Sequence, residues 1–443
     1  SQAEVNRMSQ DPRRSVVLAA PWRTPWCKAG GALRAEDAGR LGALVARETL
    51  ARSGIAPGLI DEVIIGSVGP PHDQVNIARV VALRAGVPEH VPAFTVARNC
   101  ASGIEAVTNA AVRIEAGRGS LYLCGGVEVM SAYPLVFGRE MTALFERLSR
   151  ARTLGARLGV LASFRPRFLK PRIAILEGLT DPTCNLIMGR TAEILAREFG
   201  ITREQGDAYA LLSHQRAEAA RAASRFAREI VGVMPSNARA GAASVQADDG
   251  IREGQSMDAL KKLKPYFEKP DGVVTVGNSS QVTDGAGAML VASEARAAEL
   301  GLQPLARVRS FAWAGLDPAR MGLGPVYATA KALDAARCTL KDIGVIEINE
   351  AFAHQALACG KAAASDSFAR EKLGRASALG ELEPARTNIN GGAIALGHPV
   401  GATGVRLLMT VAHELRIRDC ELGLATLCIG GGQGGAVILE RMS

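Results

Sequence analysis

The chain has 443 residues, 48% hydrophobic and 22% charged, ordinary globular usage with room for two or three domains, which excludes collagen-like, coiled-coil and extensively disordered architectures. Aromatic residues are only 4% and the formal charge is +8, too modest for a nucleic-acid binder built on stacking platforms, although an anionic ligand or membrane surface would be attracted. The eight cysteines, at 27, 100, 124, 184, 338, 359, 420 and 428, include no C-x-x-C pair; reduced thiols in a cytosol-like compartment are expected, and a special cysteine is then reactive rather than structural.

Ser1 to Arg14 is polar without a signal-like apolar region, and Leu422 to Leu439, though uncharged, is broken by glycines around Gln433. A cytoplasmic protein without a transmembrane span is the expectation. Val16 to Ala19, Val63 to Val68 and Leu121 to Cys124 are short apolar runs, and the helical patterns Ala38 to Ser53 and Ser102 to Ala116 lie between them. Strands alternating with helices predict an α/β fold with substantially parallel sheet. Tyr133 to Asp271 breaks the alternation with helical patterns at Thr191 to Glu198 and Glu204 to Phe226 and an irregular stretch, Val233 to Gly254. It reads as an inserted, mostly helical and loop-rich domain carried on the first half.

The second half repeats the grammar of the first. A helix at Ala328 to Arg337 leads to the strand Val345 to Ile348, and the helix after Thr403 leads to Leu422 to Cys428, as the helix after Ser102 leads to Leu121 to Cys124. The division expected is 15–132 for the first half, 133–271 for the inserted domain, 272–302 completing the first half and 303–443 for the second half; a smaller insertion covers Lys361 to Pro384.

Four segments can carry chemistry. Asn99-Cys100-Ala101-Ser102-Gly103 stands where a strand ends and a helix begins, so free backbone N–H groups and the helix dipole favour thiolate at Cys100; a small buried apolar cysteine is the plainer reading. Asn349-Glu350-Ala351-Phe352 follows a strand, at the edge where α/β proteins place their sites, and Asn349 can hold a water or cap a helix. Gly391 to Gly404 is a glycine-rich loop in which Pro399 fixes the chain after His398, which can orient or deprotonate a thiol or simply cap a helix. Cys428-Ile429-Gly430-Gly431-Gly432 puts a second cysteine before a glycine turn whose N–H groups can hold an oxyanion.

Taken in that order, N-x-C-x-S-G, N-E-A-F, G-H-P and C-x-G resemble the motifs of the thiolase family, from about Val16 to Arg441, and Gly277 to Ser280 with Thr283 to Ala286 is similar to the segment that closes the first half in that family. The resemblance implies a five-layered α-β-α-β-α core of two similar halves, with a loop domain that binds coenzyme A. It implies that Cys100, assisted by His398, is acylated by a 3-ketoacyl-CoA or acyl-CoA, and that Cys428 moves the α proton of acetyl-CoA. His398 and a water on Asn349 would form one oxyanion hole, and the N–H groups of Cys100 and Gly430 the other. Ser280, Met188, Ala351 and Phe352 would contact CoA or substrate. CoA is then a substrate, with no metal or redox cofactor, and a homodimer or homotetramer is implied.

Phe164 to Arg172 and Ser367 to Gly374 resemble the thiolase subunit of the fatty-acid-oxidation trifunctional complex, although those proteins commonly have His where Asn349 stands. That likeness implies β-oxidation, a hydratase/dehydrogenase partner or a peripheral membrane contact through 164–176, where Arg165, Arg167, Lys170 and Arg172 interleave with apolar residues; a lid over the site is the competing reading. A ketosynthase-like condensing enzyme shares the fold but would carry His where Cys428 stands. A non-catalytic CoA-ester or lipid carrier would not need Cys100, His398, Asn349 and Cys428 together.

Overall fold

The computed structural model describes residues 6–442; Ser1 to Val5 of the polar stretch Ser1 to Arg14, and Ser443, lie outside the described residues. The first half runs β1 (Val16–Arg23), α1 (Ala38–Ser53), β2 (Glu62–Gly66), α2 (Ile77–Arg84), β3 (Ala93–Val96), α3 (Ser102–Glu115), β4 (Leu121–Val129) and, after the insertion, β5 (Thr283–Ser293). The insertion carries α4 (Arg139–Arg150), α5 (Leu154–Ala162), α6 (Met188–Glu198) and α7 (Arg203–Ala222). The second half runs β6 (Pro304–Gly315), α8 (Gly324–Ala336), β7 (Ile343–Ile348), α9 (Ala353–Ala363), α10 (Val400–Ile417), β8 (Leu422–Ile429) and β9 (Gln433–Arg441).

Local chemistry sets these boundaries. The Asp37 side chain accepts the Arg40 N–H at 2.8 Å to start α1, and Gly54 at φ 69° ends it. The helix expected over 204–226 stops at Ala222, because Ser224 takes φ 55° and a tighter turn follows over Arg225–Arg228. Val63, Ile64 and Ile65 are buried in succession, as a strand covered on both faces requires.

The halves share one strand order. In the first, β3, β2 and β4 are parallel neighbours, and β5 lies antiparallel between β4 and β1. In the second, β7 and β8 are parallel, and β9 lies antiparallel between β8 and β6. Where β3 stands in the first half, the second has a single parallel bridge from Ile346 to Thr387. The sheets are therefore mixed, and the parallel expectation holds only for the strands linked by crossover helices.

Three apolar clusters fix the layers. One packs α1 and α2 on the outer face of the first sheet, another packs residues of α8 and α9 on the outer face of the second. Between the sheets lie α3 and α10, whose Ile104, Val107, Ile114, Val405, Leu408 and Val411 share one core with strands of both halves. The five layers are α, β, α, β, α. The sheets also touch at their edges, where β1 and β6 pair antiparallel at Val17↔Arg307 and Leu18↔Ala306.

Candidate active site

The two central helices begin side by side, and each follows a loop with a reactive side chain. Ahead of α3 the chain turns sharply: Asn99 sits at φ 43°, a conformation asparagine tolerates better than most residues. Ser102 Oγ donates to Asn99 O at 2.8 Å and accepts the Arg98 N–H at 2.9 Å, closing the turn. Asn99 Nδ2 donates across the halves to Gly430 O at 2.8 Å. Cys100 is thereby held partly exposed, its sulfur met by the N–H groups of Cys100 itself and of Gly430. Burial raises its thiol and those N–H groups oppose the rise.

Ahead of α10, Gly397 takes φ 100°, and a Cβ there would fall 2.4 Å from the Thr283 side chain; only glycine fits. The His398 N–H donates to Gln281 O at 3.0 Å. His398 Nδ1 lies 2.6 Å from Thr403 Oγ1, which donates its one proton to Pro399 O at 3.1 Å. That chain assigns the imidazole proton to Nδ1 and leaves Nε2 as the acceptor. Burial, then Arg406, lowers His398 to about 4, so the ring is neutral at physiological pH.

Cys428 is buried at the end of β8, and burial, followed by the nearby Cys100 and Cys359, raises its thiol. Gly430 lies against Met188, whose Sδ would stand 3.3 Å from a Cβ at that glycine. The Glu350 carboxylate accepts Ser213 Oγ at 2.7 Å, Asn388 Nδ2 at 2.9 Å and the Ile394 N–H at 3.3 Å, fastening its segment to α7 and to the His398 loop. Ser280 N donates to Ala351 O at 2.9 Å.

Cys100, His398, Cys428, Gly430, Ser280, Met188, Ala351 and Phe352 all line one cavity of about 300 Å³. Asn349 does not reach that wall. It is fully buried, and both Oδ1 and Nδ2 lack a protein partner. A second cavity of about 410 Å³ shares Ser280, Met188, Phe352 and His398 with the first and adds Lys28 and Arg252. Sequence reasoning did not find Tyr133, Met321 or the wall formed by Leu179 to Thr183; no motif marks them, and only Tyr133, an aromatic just past a strand, carried a local signal. Ile175 borders both cavities, so the end of the 164–176 segment lies over the site. Among the described residues no group of His, Cys, Asp or Glu is arranged to hold a metal, and no helix is long and apolar enough to cross a membrane.

Two loops that each lead into a central helix, one from each of two similar halves, bring a cysteine and a neutral histidine to the same cavity as a second cysteine. The family models agree with that arrangement: the thiolase N-terminal domain matches residues 16–295 and the thiolase C-terminal domain residues 302–441. The chain belongs to the thiolase family. It is 41% identical over 426 residues to the 3-ketoacyl-CoA thiolase of Yersinia enterocolitica, covering 96% of each chain. It is 42% identical to the acetyl-CoA acetyltransferase of Pseudomonas aeruginosa, over 97% of this chain and 100% of that one. The crystal structure of human mitochondrial 3-ketoacyl-CoA thiolase superposes with a TM-score of 0.84 at 36% identity, covering 97% of this chain and 99% of that one. The protein is an acyltransferase with thiolase activity, exchanging acyl groups between CoA thioesters by cleaving or forming a carbon–carbon bond; the ketosynthase and carrier readings are not favoured.

Proposed function

We propose that the reaction runs through an acyl group on Cys100, and the observation that carries this is the meeting of Cys100, His398, Cys428 and Gly430 on one cavity. In the cleavage direction His398 Nε2 takes the thiol proton as Cys100 Sγ attacks the 3-keto carbon, and the N–H groups facing that sulfur receive the oxyanion. The bond between C2 and C3 then breaks, and Cys428 protonates the departing acetyl-CoA enolate. The Cys428 thiolate takes the proton of incoming CoA, whose sulfur attacks the thioester; the shortened acyl-CoA leaves and His398 returns its proton to Cys100. Condensation is the reverse. The orphaned Asn349 amide is suited to a water, since leaving both ends buried and unpaired costs about 1–3 kcal/mol each; that water and protonated His398 Nε2 would hold the enolate oxygen. CoA enters by the second cavity, its pantetheine passing Ser280 and its phosphates turned to Lys28 and Arg252. Incubation with acetyl-CoA and peptide mass spectrometry should place the acetyl group on Cys100; acylation of another cysteine, with Cys100→Ala still turning over, would overturn the assignment.

Residues 133–271 act as the CoA-binding loop domain in this reading, the chain assembles as a homodimer or homotetramer in a cytosol-like compartment, and β-oxidation is its setting; the name 3-ketoacyl-CoA thiolase of a relative supports the last of these alone. The 164–176 segment divides its work: Ile175 closes the cavity, and the stretch before it forms a docking face. On α5 no residue is buried, and Leu154, Leu158 and Leu161 form a stripe exposed at 74%, 58% and 50%. Residues 135–176 carry nine basic side chains against two acidic ones, which favours an anionic bilayer, with about 1 kcal/mol from each basic residue near the surface, over a hydratase/dehydrogenase partner. Co-sedimentation with phosphatidylserine vesicles should fall sharply in a variant with Arg165, Arg167, Lys170 and Arg172 changed to Ser; no binding by the wild type would leave the lid alone.

A further inference from the structure

Glu128 lies one residue from the end of β4 and is 1% exposed. Both its oxygens are occupied. Oε2 accepts the Val68 N–H and the Gly401 N–H, each at 3.0 Å, and Oε1 accepts the Gly69 N–H and the Tyr133 hydroxyl, also at 3.0 Å each. Three of the four partners are backbone N–H groups that can only donate, so the ionised carboxylate, an acceptor at every lone pair, is the form that fits. Burial pushes this carboxyl up and the four donors pull it back.

These donors come from three parts of the chain. Val68 and Gly69 follow β2, Tyr133 opens the insertion, and Gly401 lies in the first turn of α10, three residues after His398. Two of the partners are shaped to the carboxylate: a Cβ on Gly401 would stand 2.8 Å from Glu128 Oε2, and one on Gly69 would strike the Tyr133 ring at 2.5 Å. Val68, Tyr133, Cys100, His398 and Val400 all line the cavity, and Glu128 binds the parts of that wall together from behind. Its charge also reaches the sulfur: after burial, Glu128 is a further influence raising the Cys100 thiol.

We propose that Glu128 is a positioning residue for acyl transfer, which locks the His398 turn of the second half against the Cys100 side of the first and sets its negative charge behind that wall of the cavity. This rests on the reading of Cys100 as the acylated residue. The titratable groups facing the sulfur are Cys428 from the end of β8, Tyr133 from the insertion, His398 from the turn before α10, and Glu128 itself. Farther out, Arg406 on α10 acts on His398, Asp284 on β5 is bonded to Ser131, and Arg98 pairs with Glu105 at the start of α3.

The two effects separate in two substitutions. Glu128→Gln removes the charge and, although its amide oxygen can keep the Val68 and Gly401 bonds, sets its NH2 against the Gly69 N–H, which can only donate; Glu128→Asp keeps the charge but is one methylene short of four partners. The full-length chain and both variants are titrated with iodoacetamide over pH 6–10, with alkylation of Cys100 read by peptide mass spectrometry, and kcat and KM are measured with acetoacetyl-CoA and CoA. The midpoint for Cys100 should fall by about one pH unit in Glu128→Gln and stay within about 0.2 unit in Glu128→Asp, while kcat drops at least tenfold in both and KM for CoA changes less than about twofold. A role in folding alone would move neither midpoint. An unchanged midpoint in Glu128→Gln, or wild-type kcat in both variants, would overturn the proposal; should Glu128→Gln fail to fold, a shifted midpoint or unchanged kcat in Glu128→Asp would do so. Acetyl transfer to Cys100 in the wild type, followed in the same assay, separates failure of this idea from failure of the Cys100 assignment.

Discussion

Two thiols share one cavity, but their surroundings differ. The Cys100 sulfur meets backbone N–H groups that stabilise a thiolate, whereas Cys428 is fully buried next to two other thiols, an environment that keeps a proton on sulfur until a substrate carbanion takes it. Cys428→Ala should therefore still accept an acetyl group from acetyl-CoA on Cys100 yet lose thiolysis of acetoacetyl-CoA by about 10²–10⁴-fold, the usual worth of a placed acid–base group. Mass spectrometry of the acylated variant beside a thiolysis assay reads both, and full thiolysis would remove Cys428 from the mechanism. Cys100, His398 and Cys428 were legible because each sits in a short run of glycine, proline or asparagine with a local purpose. Glu128 was not: its partners lie at positions 68, 69, 133 and 401, and three of them are backbone N–H groups, which leave no mark in a sequence.

At the level of elements, the site depends on how closely α3 and α10 approach. A Cβ on Gly404 would come within 2.5 Å of Ile104 N, and one on Gly103 within 2.8 Å of Val405 N. Both obstacles are helix backbone and cannot step aside. Gly404→Ala should cost about 3 kcal/mol, at the upper end of ordinary overpacking, and lower the activity of the folded fraction by separating the loops that carry Cys100 and His398. Urea unfolding and specific activity at equal folded concentration measure the two effects; a midpoint equal to wild type would show that the helices have slack. The sequence made the long elements plain: α1 begins at its Asp37 cap and ends at Gly54, close to where its apolar period does, and α3 shows its period without a side-chain cap. The strand expected ahead of Asn99 had no readable bounds, because β3 is only four partly buried residues at a sheet edge. The sequence also left α4 and α5 without bounds, whereas the prolines at 166 and 171 marked correctly that the stretch after these helices is confined to the single turn Pro166–Leu169.

Over the whole molecule, the insertion is anchored to both halves by buried ions. Arg23 on β1 is bonded to Asp248 at 2.7 and 2.9 Å and to Glu229 at 3.1 Å, both acids belonging to the insertion, while Arg225 of the insertion pairs with Glu414 on α10. Asp248 also accepts the Trp26 N–H at 2.7 Å. Asp248→Ala would leave Arg23 with Glu229 as its one remaining acid and the buried Trp26 N–H without its acceptor, so it should destabilise the protein by about 3 kcal/mol. Calorimetry reads this as a lower Tm; a loss under about 1 kcal/mol would mean that water reaches the Arg23 guanidinium. The division of the site between the halves also has a meaning for synthesis. A ribosome releases Cys100 early, but the histidine and the second thiol follow only at positions 398 and 428, and the strand that carries the latter must be in place before Gly430 can face the first sulfur. A growing chain therefore carries Cys100 without its partners across the roughly three hundred residues that separate it from the loop at 398 and the strand end at 428.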